Sequence, residues 1–273
     1  MKILTTSVNN TVFIKLQYML LKKYMPKNIE YEFIVFNDSK NFPDDTNGGN
    51  LNISLFIQDT CESLGIKCIN IPNEHHKYIK NPSIRCANSM NFILKYQEDN
   101  PPDEYIILDC DMFPIAPINI EEYRKYNCAL LLQSRQNKNY FWPGILYFNF
   151  HKMKDIKLMN WNCIPDFDTG GMMIQWLSLQ DPNTIYYIDS LLSLCWDKKT
   201  IPEFLLQDDN IQYNNLINFI HNDPRNSKPD NKYFTEIYDN TFFHYRSGTN
   251  WRNEGFELHN TLTNKLFSLF NNE

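Results

Sequence analysis

Four consecutive apolar residues, Tyr105, Ile106, Ile107 and Leu108, run without a break into Asp109-Cys110-Asp111. A strand apolar on both faces has to be covered on both. The run therefore belongs inside a sheet with helices above and below, and its acids mark the edge where the strand emerges. The flanking sequence agrees: apolar runs at residues 2–6, 31–38 and 67–71 alternate with helical patterns at 51–64 and 83–97, and with an amphipathic helix that runs through 20–24 and stops at Pro26. Crossover helices joining parallel strands give this alternation. Further strands are expected at 128–132, 145–150, 185–188 and 241–245, and a last helix over 256–270. The expected fold is α/β and Rossmann-like: a mostly parallel central sheet flanked by helices, with a small antiparallel part.

At 273 residues and 42% hydrophobic content the chain can bury a substantial core without requiring two domains; a single domain over 1–273 is expected. The formal charge of −6, without a basic stripe, argues against nucleic acid as a partner. Seven cysteines with no C-x-x-C pair fit neither a disulfide framework nor a zinc site and read as reduced, packed thiols. Thr5, Thr6, Asn9 and Asn10 interrupt the N-terminal apolar run, short of the roughly 7–15 residues of a secretory h-region. No stretch approaches the roughly 18 apolar residues of a transmembrane segment. A cytoplasmic location is the expectation.

Asp109 and Asp111 lie two apart, so where the strand ends both carboxylates can converge on one cation. A divalent ion held by one or two carboxylates keeps positions open, and for Mg²⁺ or Mn²⁺ these go to substrate phosphates. D-x-D is also common by chance; its place after a buried strand gives it weight, because ligands of open α/β sheets bind beyond the carboxyl ends of strands. His244, in FFHYRSGTNW, taken alone reads more readily as a hydrogen-bonded core residue than as an imidazole ligand suited to Mn²⁺. The upstream acids, with Arg246, Ser247, Gly248 and Arg252 nearby to meet phosphate oxygens, favour the ligand.

The turn TTSVNN, with Thr6, Ser7 and Asn9, and the strand end at Asp38 are where a doubly wound sheet receives a base and a ribose; Asn37-Asp38 serves equally as a turn pair. Arg85 and Asn88 on the expected helix could reach the nucleotide or sit as surface polar residues. In DFDTGGMMIQWL, Gly170 and Gly171 permit close backbone approach to a ligand, and Asp168 could orient sugar hydroxyls or act as a base. A helix cap with a tight turn uses the same letters. Trp142 could stack on a sugar or acceptor. Residues 221–232 form the candidate mobile loop.

The strand start near residue 3, Asn37-Asp38, R-C-A-N from Arg85, YIILDCDMF, Pro143-Gly144, an acidic Gly-Gly turn and a late H-Y-x-x-G-x-N-W together resemble GT-A nucleotide-diphosphate-sugar glycosyltransferases, in particular the glycogenin-like and bacterial galactosyltransferase-like members. The resemblance covers nearly the whole chain. It implies that Asp109, Asp111 and His244 bind Mn²⁺ (or Mg²⁺) bridging the donor diphosphate, and that Cys110, Gly248 and Trp251 lie on the donor side. It also implies a nucleotide-binding half at 1–111 and an acceptor half with a C-terminal metal-binding loop at 112–273. The donor is expected to be a UDP-sugar and the acceptor a hydroxyl of a glycan, protein or small molecule. The family loop H-F-x-G-x-x-K-P-W carries a Lys where this chain has Asn250, so Arg246 or Arg252 would supply the cation. Trp142-Pro143-Gly144 stands in place of the family's Asn-Ala-Gly. Gln207-Asp208-Asp209 competes with Asp168 for the acceptor-side acid.

Two rival readings stay open. A catalytically silent GT-A protein would bind carbohydrate or nucleotide without turnover. A D-x-D phosphohydrolase would use the first Asp as nucleophile, but such enzymes carry the motif after their first strand. A sugar nucleotidyltransferase would need a Gly-rich, basic N-terminal loop, and TTSVNN has neither feature.

Overall fold

The structure is a computed structural model and describes residues 1–48, 50–135, 137–191, 203–206, 211–226, 233–251 and 255–271. β1 (Lys2–Ser7) is flanked by β2 (Glu32–Asn37) and β4 (Glu104–Leu108), both parallel to it. β3 (Lys67–Asn70) extends the sheet beyond β2. On the other side follow β7 (Lys138–Asn149), β6 (Cys128–Arg135) and β8 (Ile185–Tyr187), giving the order β3-β2-β1-β4-β7-β6-β8. β7 is antiparallel to both β4 and β6, while β6 and β8 are parallel. It is therefore the one reversed strand in a sheet of seven.

The chain divides into two compact units. The first comprises Met1–Asn9, Pro26–Cys110 and Asn119–Ile188 and contains this sheet. Its helices are α2 (Ile53–Leu64), α3 (Pro82–Asp99) and the short α4 (Ile120–Tyr123) and α5 (Met173–Leu177). α3 starts where sequence dictates: the Asn81 side chain accepts from the Ser83 N–H, and Pro82 occupies a position whose missing donor costs nothing. α2 stops at Gly65, which takes the left-handed conformation at φ 67°. Leu4, Ile34, Phe36, Ile107, Leu146 and Phe148 form the core with Trp161 and Trp176.

The second unit comprises Asn10–Met25, Asp111–Ile118 and Asp189–Glu273. It holds α1 (Thr11–Tyr24), capped by the Asn10 side chain accepting from the Val12 N–H, together with α6 (Ile211–His221) and α7 (Phe256–Asn271). Its sheet is antiparallel, in the order β5 (Met112–Pro114), β11 (Phe242–His244), β10 (Glu236–Tyr238), β9 (Ser190–Leu191). Phe13, Leu16, Leu20, Phe113, Phe243, Tyr245, Leu262 and Leu266 pack its core.

The expected α/β fold and its elements are present. β7 starts at Lys138, well before residue 145, because Pro143 falls where neither neighbour needs its N–H. The β4 ladder ends at Ile145, and the β6 pairing skips from Leu146 to Phe141 across a bulge. β5, β10 and α6 were not anticipated. No helix among the described residues is long and apolar enough to cross a membrane.

Candidate active site

Asp111 stands immediately before β5, and β5 pairs antiparallel with β11 so that Met112 faces His244 and Phe113 faces Phe243. The Tyr245 N–H donates to the Asp111 carbonyl at 2.9 Å and continues the ladder by one rung. Backbone pairing thus brings together residues 133 positions apart in sequence (244 minus 111). Both side chains are buried, Asp111 at 3% and His244 at 4% exposure. Asp111 Oδ1 lies 3.2 Å from His244 Nε2 but outside hydrogen-bond geometry, and it has no hydrogen-bond partner among the described residues. Asp111 Oδ2 accepts the Gly248 N–H at 2.7 Å.

Gly248 is required at that spot. A Cβ there would lie 2.7 Å from both the Phe13 and Tyr245 rings, so only a bare Cα lets the loop approach closely enough for its N–H to reach the carboxylate. Ser247 precedes it at φ 61°, a left-handed conformation that non-glycine residues adopt at a cost.

Behind the imidazole, β10 sets Glu236 directly opposite His244. Glu236 Oε2 lies 2.7 Å from His244 Nδ1 and accepts the Tyr238 hydroxyl at 2.6 Å. Burial alone would push the imidazole pKa down, but Asp111 and Glu236 outweigh it and raise it to about 10. Burial likewise opposes ionisation of Asp111, yet His244 and the Gly248 N–H hold its carboxyl below the usual range. In the absence of a metal, a proton on His244 supplies the positive charge that two buried carboxylates demand.

The same place would also fit a divalent cation. A carboxylate oxygen and an imidazole nitrogen bound cis to an ion at about 2.0–2.2 Å lie roughly 3 Å apart, and the unpartnered Asp111 Oδ1 with its neighbouring Nε2 meets that condition. A carboxylate behind the ligating ring is the usual companion of a metal-bound histidine. Consecutive Asp109, Cys110 and Asp111 each bring a ligand-capable atom within 4.8 Å of the others. Asp109 is half-buried at the end of β4, its N–H donating to the Gly144 carbonyl at 2.8 Å.

In the first unit, Asp38 directly follows β2 and is the hub of a buried network that the sequence reading did not anticipate. Its Oδ1 accepts from Lys40 Nζ and Asn73 Nδ2, both at 2.7 Å, and its Oδ2 from Ser89 Oγ at 2.7 Å. Lys40, 2% exposed, also lies 3.0 Å from His76 Nδ1. Burial lowers the Lys40 pKa against the pull of Asp38. Asp38 therefore ties the end of β2 to the Asn73 turn and to α3.

Arg85 donates to Ile79 O at 2.6 Å and pairs with Asp44 at 2.7 Å, and Asn88 Nδ2 lies 3.1 Å from His75 Nε2. Asn9 Nδ2 donates to Thr46 O at 2.7 Å. Ser7 O accepts the Asp38 N–H, while half-buried Thr6 lies opposite Phe36. Thr6, Ser7, Asn9, Asp38, Arg85 and Asn88 thus frame the carboxyl ends of β1 and β2.

Gly170 and Gly171 make room for the chain itself. At Gly170, φ is 90° and a Cβ would come within 2.4 Å of Phe141 O; at Gly171 it would meet Phe167 Cβ at 2.9 Å. They seat the Asp168 turn against β7. The Trp142 indole lies over Gly144, where an added Cβ would fall 1.7 Å from a ring carbon. Trp251 packs edge-on against Phe256 at 4.9 Å, and the Arg246 guanidinium lies 4.7 Å over the Phe234 ring.

Part of the expected mobile loop is anchored. Asp223 and Asn226 are buried, and Arg225 pairs with Asp223 at 2.7 Å while donating to Arg246 O at 2.7 Å. Residues 227–232, Arg252 and Gln207-Asp208-Asp209 lie outside the described residues. Glu236 and Tyr238 had one sequence signal: Asp239-Asn240, both at positive φ, mark a hairpin turn that sets β10 against β11.

No protein-family profile matches the sequence, and no curated protein matches it. Among solved structures, the chain is similar to the galactosyltransferase LgtC in complex with donor and acceptor sugar analogs, at 13% identity and a TM-score of 0.42, over 68% of this chain and 73% of that one. It is also similar to an active-site mutant of LgtC, at 11% identity and a TM-score of 0.39, over 68% and 72%. At these identities the functional reading rests on the residues described above.

Proposed function

We propose that the chain is a metal-dependent glycosyltransferase that moves a sugar from a nucleotide-diphosphate donor, with uridine as the base, to a hydroxyl acceptor. One observation carries this reading: a buried carboxylate oxygen with no hydrogen bond, 3.2 Å from an imidazole nitrogen whose far side rests on a second carboxylate. Asp111 and His244 hold the cation, with Asp109 as third ligand from the D-x-D spacing, and the imidazole favours Mn²⁺ over Mg²⁺. When bound, the ion supplies Lewis-acid neutralisation of charge growing on a leaving diphosphate.

The residues around it do the rest. Glu236 keeps the His244 ring oriented, and the Gly248 N–H fixes the rotation of Asp111. Arg246 and the N–H groups of the 247–251 loop face phosphate, with Cys110 and Trp251 on the donor side. Thr6, Ser7 and Asn9, with the Asp38, Arg85 and Asn88 frame, receive the base and ribose. Asp168, seated by Gly170 and Gly171, is the acid on the acceptor side that takes the hydroxyl proton. The location is cytoplasmic.

A thermal-shift series on the full chain tests this, using UDP and UDP-sugars with and without Mn²⁺. A ligand at one hundred times its dissociation constant stabilises by about 2.7 kcal/mol. The shift should require Mn²⁺ and vanish in Asp111→Asn and His244→Ala. A shift indifferent to metal, or one retained by both variants, removes the proposal.

A further inference from the structure

Two thiols that the transferase reading does not use meet where α2 gives way to β3. Gly65 ends the helix, its N–H donating to Glu62 O at 3.0 Å and the Ile66 N–H to Cys61 O at 2.8 Å, so β3 runs back along the helix that precedes it. Side chains alternate across β3. Lys67 and Ile69 face α3: Lys67 Nζ donates to the Tyr96 hydroxyl at 3.4 Å, and Ile69 packs against the core that α3 covers. Cys68 and Asn70 take the other face, toward α2, where Asn70 Oδ1 accepts from Gln58 Nε2 at 3.2 Å. Three residues on in the helix and two back in the strand, Cys61 stands against Cys68, and its S–H donates to the Cys68 sulfur.

The two sulfurs differ in access. Cys61 is fully buried, whereas Cys68 is half-buried on the strand at the edge of the seven-stranded sheet. They differ in protonation as well. The hydrogen bond from Cys61 holds the Cys68 thiol below its ordinary value against burial, while the same bond, together with burial, raises that of Cys61. The thiolate is the nucleophile, so an attacking sulfur at the sheet edge has a second thiol already in contact behind it. A low-lying, accessible thiol next to a resolving one is the arrangement that oxidises to a disulfide.

We propose that Cys61 and Cys68 form a reversible disulfide site that reacts with hydroperoxides. The Cys68 sulfur attacks one peroxide oxygen, the O–O bond breaks, and the departing hydroxide takes up a proton and leaves as water. The Cys61 sulfur then attacks the resulting Cys68 sulfenic acid and gives up its proton; the S–S bond forms as the S–O bond breaks, and a second water leaves. Two thiols and hydrogen peroxide thus give one disulfide and two waters, and a dithiol reductant reverses the change. The bond pins the edge strand to α2.

Trypsin cuts after Lys40, Lys67 and Lys77 and finds no other Lys or Arg between them. The two cysteines therefore fall on separate fragments, 41–67 and 68–77, unless a disulfide joins them. The folded full chain is treated with hydrogen peroxide, its remaining thiols are blocked with iodoacetamide, and it is digested without reductant. The fragment masses should show 41–67 joined to 68–77 with the loss of two hydrogens, and dithiothreitol should separate them. In Cys61→Ser the resolving thiol is gone, and Cys68 should persist as a sulfenic acid that dimedone captures; in Cys68→Ser, Cys61 should stay unoxidised. Cys86→Ser, which removes an exposed thiol on α3, should form the link as the parent does. Separate fragments after oxidation, a link from either cysteine to a different one, or a link that forms only in urea overturns the proposal. So does dimedone capture at Cys61 in Cys68→Ser.

Discussion

Glu236→Gln keeps the shape of the side chain beneath His244 and removes its charge. Glu236 Oε2 lies 2.7 Å from His244 Nδ1 and accepts the Tyr238 hydroxyl at 2.6 Å. A glutamine carbonyl oxygen can take both contacts, so ring orientation survives while the negative charge that makes the imidazole a stronger base is lost. Loss of such an outer carboxylate lowers metal affinity about 10–100-fold, which is about 1.4–2.8 kcal/mol. Asp111→Asn, which removes a ligand, should abolish binding in the same assay. Titration of Mn²⁺ against the full chain in the presence of UDP, read from the electron-paramagnetic resonance signal of free Mn²⁺, measures both. If Glu236→Gln binds Mn²⁺ as tightly as the parent protein while Asp111→Asn does not, Glu236 does not act through the ring. If the parent protein binds no Mn²⁺, the site itself is refuted.

Gly248→Ala puts a methyl group 2.7 Å from the Phe13 and Tyr245 rings; it should cost about 1–3 kcal/mol of stability in urea denaturation and weaken Mn²⁺ binding by withdrawing the N–H from Asp111. Lys40→Met leaves the Asp38 carboxylate buried without its cation and should cost about 3–5 kcal/mol; the Asp38→Asn, Lys40→Met double variant should recover part of that, and strict additivity in the cycle would show the pair to be uncoupled. Burial, with Lys40 alongside, pulls the His76 imidazole from 6.5 down to about 4. The unfolded chain therefore binds a proton that the folded chain refuses, and the His76 contribution to stability is present above pH 6.5 and is lost as pH drops from 6.5 toward 4, by on the order of 3 kcal/mol. Urea midpoints across that window should show the slope, and His76→Asn should flatten it.

The layered architecture was legible because it is written in local periodicity. Tyr105 to Leu108 could only be an interior strand, and the 83–97 helix announces its start with Asn81-Pro82. The candidate ligands Asp109 and Asp111 were legible for the same reason, since a strand that ends in two carboxylates carries its own marker. Lys40, Asn73, His76 and Ser89 were not legible, because a buried Lys and a surface Lys are the same letter and burial is a property of what packs over it. Glu236 escaped because its meaning comes from being opposite His244, and Trp142, a candidate stacking surface by sequence, has its ring across Gly144 of its own strand. The glycines at 170 and 171 show the converse: the letters spoke of free space, and the space holds Phe141 O and the Phe167 side chain.

Sequence alone determined the α/β layering, the expectation of parallel strands joined by helices, and the identity of the residues capable of coordination, because strand and helix periods and side-chain chemistry are properties of neighbouring letters. Only the tertiary structure decided that β5 and β11 lie side by side in register, which seats His244 against Asp111 and places Glu236 behind it. Hydrogen-bonded pairing between segments more than a hundred residues apart depends on which backbone groups remain unpaired once the rest of the chain has folded, and no local pattern encodes that.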